Sequence, residues 1–172
     1  IQTLLKKNGK NVTESLEEMP DQTPTTQLSP ETYLGAARMQ YLSKVGKANL
    51  GKQTFTLDRE VSKNQFSLGG VWNISEEFAT AEKDAVLNYN FTASKVFLVL
   101  RPGETPGKIK VFLDGDLIDS TSNGKDVING EVNVDSDRLY ELVNLNGKLE
   151  NHILGIKFEG AGIQAYAFTF GQ

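Results

Sequence analysis

Leu87-Asn88-Tyr89-Asn90-Phe91 changes from apolar to polar at every step. A period of two puts one set of side chains on each face of an extended strand, whereas a helix would repeat its apolar residues every three or four positions. The stretch therefore reads as a half-buried β-strand. The same alternation returns in Leu68, Trp72 and Ile74 around Gly70, in Ile109, Val111 and Leu113 against Lys108 and Lys110, and in His152, Leu154, Ile156 and Phe158. Val96 to Leu100 is apolar at every position, the pattern of a central strand covered on both faces. Asp114-Gly115 and Gly160-Ala161-Gly162 are hairpin signals, and Asn123-Gly124, Asn129-Gly130 and Asn146-Gly147 are turn signals at short spacing. Strands joined by such turns, with no helical pattern between them, predict an all-β fold: an antiparallel β-sandwich of jelly-roll type over residues 50–172. Its expected core includes Trp72, Phe97, Val99, Val111 and Phe168. Tyr89 and Tyr166 share faces with Phe91 and Phe168 and are expected inside as well.

Upstream the pattern changes. In residues 1–10, Ile1, Leu4 and Leu5 fall on one side, Lys6 and Lys7 suit a helix C-terminus and Gly9 suits its stop, so this segment reads as the short remnant of a helix. Residues 11–30 are rich in Thr, Glu, Gln and Asp and are broken by Pro20, Pro24 and Pro30, which reads as a linker with Asn11 to Gln27 exposed to proteolysis. The β-sandwich domain then occupies residues 31–172, with one short helix expected over Ala36 to Val45 and stopped by Gly46.

Composition excludes several functions. The formal charge of −4, from 18 basic and 22 acidic residues, is mild and gathered in no block, so duplex nucleic acid is not an expected partner. No stretch has the length of a membrane span. There is no cysteine, which removes disulfides, thiolate catalysis and Cys-based zinc sites. The single histidine, His152, lies on a predicted apolar strand face with no serine or cysteine motif beside it, and reads as a structural residue. No catalytic residue and no cofactor are expected.

Gly46-Lys47-Ala48-Asn49-Leu50-Gly51-Lys52-Gln53 falls one residue short of a phosphate-binding loop. A strand-like Thr54-Phe55-Thr56-Leu57 follows it where a helix N-terminus is required, so it reads as a polar loop. Asp114, Asp116, Asp135 and Asp137 supply the hard oxygens that calcium prefers, and equally the residues that tight turns use. Tyr33, Leu34 and Arg38 follow the linker and have the composition of an interface anchor, while Arg138 and Tyr140 share one strand face and form a second polar candidate. A structural salt bridge inside the domain is the alternative for the arginines.

Glu31-Thr32-Tyr33-Leu34-Gly35, the Trp72 segment, Arg138-Leu139-Tyr140-Glu141-Leu142-Val143 and the ending Ala165-Tyr166-Ala167-Phe168-Thr169-Phe170-Gly171 resemble the C-terminal domain that follows a thioredoxin-like domain in DipZ-type proteins. The resemblance covers about residues 30–172. It implies a fold similar to carbohydrate-binding modules, an extracytoplasmic location, an association with cytochrome c biogenesis, and an upstream thioredoxin-like domain to which residues 1–10 belong. The redox Cys-x-x-C pair of that family is absent from this chain, so thiol exchange is not among its expected activities. What remains is a non-catalytic accessory module that binds a carbohydrate or docks on its own thioredoxin-like neighbour, a structural spacer, or a jelly-roll enzyme acting on glycans.

Overall fold

The computed structural model describes residues 27–172, so the expected helical remnant and most of the linker lie outside the described residues. All regular structure among the described residues is β. The strands are β1 (Thr32–Tyr33), β2 (Gly51–Phe55), β3 (Phe66–Ile74), β4 (Ala79–Ala81), β5 (Val86–Ala93), β6 (Lys95–Arg101), β7 (Gly107–Leu113), β8 (Asp116–Leu117), β9 (Glu131–Val134), β10 (Arg138–Asn144), β11 (Glu150–Glu159) and β12 (Gln164–Gly171). Every pairing between them is antiparallel.

They form a sandwich of two layers. The first runs β10-β6-β12, continues through β4 to β3 and ends at β2, with β1 also paired to β12. The second runs β3-β5-β11-β7, and β7 carries both β8 and β9 on its outer edge. β3 belongs to both layers: Phe66–Gly69 pair with β5, and Gly70–Ile74 pair with β2. The strand changes layers at Gly70, which has φ +80° and would place a Cβ 2.2 Å from the carbonyl oxygen of Asp84. Only glycine meets both demands there.

The alternation read in the sequence fills the space between the layers. Leu87, Tyr89 and Phe91 of the second layer are fully buried against Leu98 and Phe168 of the first, with the Tyr89 and Phe168 rings edge to face at 5.2 Å. Trp72 is fully buried too; its Nε1–H donates to the Gly69 carbonyl at 3.0 Å and its ring meets Phe158 at 5.0 Å. The hydroxyl of Tyr89, whose ionisation burial pushes strongly upward, shares a short hydrogen bond with Thr32 Oγ1, which ties β1 into the core.

Three expectations need correction. The segment Ala36 to Val45 is not helical: Ala36 and Ala37 donate to the carbonyls of Ser75 and Glu76, and Leu42 exchanges hydrogen bonds with Gly46. Its buried Met39 and Leu42 are spaced as on a helix, but the N–H groups of Ala36, Ala37 and Ser43 are satisfied by carbonyls of Ser75, Glu76 and Phe66 outside the segment. Phe97 and Val99 lie outside the core, because β6 buries only Val96, Leu98 and Leu100 and turns its other face outward. Tyr166 is likewise half-buried on the outside, since a bulge between Ala165 and Ala167 breaks the alternation one residue before it matters. Asn123-Gly124 lies between two turns, one closed by Asn123 N–H onto the Asp119 carbonyl and one by Val127 N–H onto the Gly124 carbonyl, and Gly124 N–H donates to the Leu142 carbonyl at 3.0 Å. Just ahead of β1, Leu28 packs on the core and buried Ser29 exchanges hydrogen bonds with Thr92.

Candidate functional site

Four strands align Tyr33 of β1, Ala167 of β12, Val99 of β6 and Leu139 of β10 in one row across the first layer. Their inward neighbours are core residues: Thr32, Phe168, Leu98 and Tyr140 are all fully buried. The row itself therefore faces outward, and Phe97 extends it one step along β6. Phe97, Val99 and Tyr33 are half-buried, and Leu139 is 45% exposed. This is the physical origin of the misread strand: β6 is apolar on both faces, but only one of them is covered among the described residues.

At the Tyr33 end the row opens into a cavity of about 310 Å³ lined by Tyr33, Gly35, Arg38, Glu76, Glu77 and Tyr166, with Ala37 and Ala167 completing it. The Arg38 guanidinium lies 3.9 Å over the Tyr33 ring. It makes no ion pair among the described residues. Tyr33 Oη donates to Glu31 Oε1 at 2.8 Å, a bond that raises its ionisation above the ordinary phenol value. Tyr166, also on the lining, packs its ring on Phe78 at 5.2 Å. The floor is made by Gly35, whose missing side chain lets the backbone press onto the Glu76–Glu77 turn: a Cβ would stand 2.2 Å from the Glu77 carbonyl carbon.

Of the residues singled out in the sequence, Tyr33 and Arg38 meet here. Leu34 points the other way and is fully buried, so its place is in the core. Glu76, Glu77 and Tyr166 were not foreseen; the loop after β3 carries no signal of its own, and only the bulge brings Tyr166 round.

Arg138 and Tyr140 form a separate knot. The Arg138 guanidinium stacks 3.9 Å over the Tyr140 ring and its Nη2 donates to Asp126 Oδ1 at 2.9 Å. Asp126 Oδ2 accepts the Glu141 N–H at 2.7 Å. Burial pushes the Asp126 carboxyl up, but Arg138 and that N–H outweigh it and hold it below the usual carboxylate range. Tyr140 is fully buried, and its hydroxyl donates to the Ser136 carbonyl at 2.8 Å. These groups lock the segment before β9 onto β10, which is the structural alternative raised for Arg138.

The acidic turns stay apart. Asp114 and Asp116 follow the C-terminal end of β7, whereas Asp135 and Asp137 follow β9, whose last residue Val134 pairs with Gly107 at the other end of β7. Seven strand residues separate them, roughly 20 Å at strand rise, so the two pairs share no ion. No group of three or more metal-ligating side chains is assembled among the described residues. The near phosphate loop runs directly into β2, without the helix N-terminus that a phosphate needs.

His152 sits at the rim of the core face with both ring nitrogens engaged, Nδ1 at 2.5 Å from Asp114 Oδ2 and Nε2 at 2.9 Å from Glu150 Oε1. Burial pulls its pKa down, but the two carboxylates outweigh burial and raise it above the ordinary imidazole value. Because the folded value lies above the unfolded one, this stabilisation is fully present below about pH 6.5 and disappears as pH rises through the raised folded value. The stability advantage of the parent chain over His152→Gln should therefore shrink on going from about pH 5.5 to about pH 8.5. Paired thermal melts check this, and an advantage that does not change with pH would contradict it.

Among the described residues no helix is long and apolar enough to cross a membrane. Residues 29–171 match the family described as thioredoxin like C-terminal domain. Protein DipZ of Mycobacterium bovis is 28% identical over 153 residues, which is 88% of this chain and 20% of that protein. Protein DipZ of Mycobacterium tuberculosis matches to the same extent. The chain thus spans about one fifth of the length of these curated relatives. Among solved structures, a glycoside hydrolase family 43 arabinoxylan arabinofuranohydrolase from Bacillus subtilis, in complex with cellotetraose, is similar at a TM-score of 0.39 and 17% identity, covering 78% of this chain and 28% of that one. With its sandwich described from Leu28 onward and the matched residues running through it almost to the end, this chain belongs to the thioredoxin-like C-terminal domain family.

Proposed function

We propose that this chain is a non-catalytic accessory module of an extracytoplasmic, DipZ-type thioredoxin-like protein, and that it docks on its upstream redox domain through the outer face of the first layer. The observation that carries this reading is the apolar row Tyr33–Ala167–Val99–Leu139, which begins at the cavity beside the strand where the chain joins the sandwich. An apolar strand face left without a cover is what a partner covers. The chain enters the sandwich through Ser29 and β1, so the Tyr33 end of the row is the end beside the linker. Arg38 stacked on Tyr33 adds the planar, adaptable cation that suits the centre of an interface. The non-catalytic assignment is supported by Asp126 and Glu141, whose carboxylates are each taken up by a backbone N–H.

The test supplies the thioredoxin-like domain in trans. Tyr33→Ala and Arg38→Ala are each expected to weaken its association with the module by about 2 kcal/mol while leaving the module's own unfolding midpoint unchanged. Loss of module stability with unchanged association would refute the interface.

A further inference from the structure

We propose that a second site, on the outer face of the second layer, binds a carboxylate-bearing glycan of the uronic acid class. This site is independent of the docking face, which lies on the other layer. Its floor is Gly155 of β11, paired on one side with Asn88 of β5 and on the other with Phe112 of β7. With no side chain at Gly155 the floor lies at backbone level between an amide and an aromatic ring; a Cβ would stand 3.2 Å from Asn88 Oδ1 and 3.3 Å from Phe112 Cβ. The resulting trough encloses about 540 Å³ and is bounded by Leu57 and Arg59 on one side and by Lys157 and the Asp114 turn at its ends. That volume falls in the range of about 300–1,000 Å³ usual for small-molecule sites.

The wall chemistry narrows the ligand. Asn90, one pleat further along β5, uses both ends of its amide, donating to the Val61 carbonyl at 2.8 Å and accepting from Asn151 at 2.7 Å. Asn88 makes no such side-chain bond among the described residues, so its donor and acceptor are available to ligand hydroxyls. Lys108 and Lys110 on β7 are neutralised by Glu131 and Glu159, at 3.1 and 3.4 Å. Arg59 and Lys157 have no carboxylate within ion-pair distance among the described residues, and both face the trough. The one carboxylate on the rim, Asp114, is held by His152 and by the Ile153 N–H. Two unneutralised cations, an unused amide and the half-buried face of Phe112 are complementary to a ring that carries hydroxyls, one apolar C–H face and a carboxylate.

The experiment titrates the 172-residue chain by calorimetry with tetragalacturonate, with the neutral xylotetraose and with poly-glutamate. Tetragalacturonate is expected to bind at least tenfold more tightly than either of the others. Arg59→Gln and Lys157→Gln, both at exposed positions, are expected to reduce that binding at least fivefold each with unchanged melting temperature, and Phe112→Ala to reduce it at least tenfold. No detectable tetragalacturonate binding, equal binding of xylotetraose, tighter binding of poly-glutamate, or insensitivity to the two charge substitutions would each overturn the proposal.

Discussion

Replacing Trp72 with alanine is expected to lower the unfolding free energy by about 3–5 kcal/mol, the range for emptying a large aromatic site in a close-packed core. Trp72 has no exposed surface, and its removal deprives the Phe158 ring of its edge-to-face partner. The Gly69 carbonyl loses the indole N–H at the same time, one residue from the point where β3 passes between layers. The measurement is urea denaturation followed by far-ultraviolet circular dichroism, because Trp72 is the only tryptophan and its fluorescence disappears with it. A midpoint within error of the parent would contradict the placement of Trp72 at the centre of the core.

Gly70→Ala should have an effect of similar size by a different route. A left-handed backbone costs a non-glycine residue about 1–3 kcal/mol. The added Cβ at 2.2 Å from the Asp84 carbonyl oxygen forces a backbone shift at a further cost of about 1–3 kcal/mol. Gly115→Ala makes the control: its φ is +92° but a Cβ there meets nothing within 4 Å, so only the conformational part applies. If the two variants lose equal stability under identical denaturation conditions, the close approach of β3 to the turn before β5 is wrong.

The strands were legible in the sequence wherever one face of the chain is buried and the other wet. That condition holds along β5, β7 and β11, and there the alternation found the right residues on the right face. Tight turns were legible where two residues of positive φ join adjacent strands, as at Asp114-Gly115 between β7 and β8. Three features were not. The bulge before Ala167 reverses a face without changing composition, which hid Tyr166. The turns over Ala36 to Val45 mimic helical spacing because their apolar residues reach the same core from an irregular path. Most consequential is β6: alternating burial and uniform apolarity together mean an outward face that is apolar without being core, and periodicity does not separate that case from a strand covered twice. The candidate site was half legible for the same reasons. Tyr33 and Arg38 stand next to each other in space and nearly so in sequence, whereas the Glu76–Glu77 wall is delivered by a loop that only the fold brings across.

The most direct test of docking maps the module's backbone amides by nuclear magnetic resonance, with the nitrogen-labelled chain titrated by the unlabelled upstream thioredoxin-like domain. Perturbations are predicted to cluster at Tyr33, Arg38, Phe97, Val99, Leu139 and Tyr166, leaving Asn88, Phe112 and Gly155 on the opposite layer unchanged. Perturbations confined to the second layer, or none with both domains at millimolar concentration, would contradict the account.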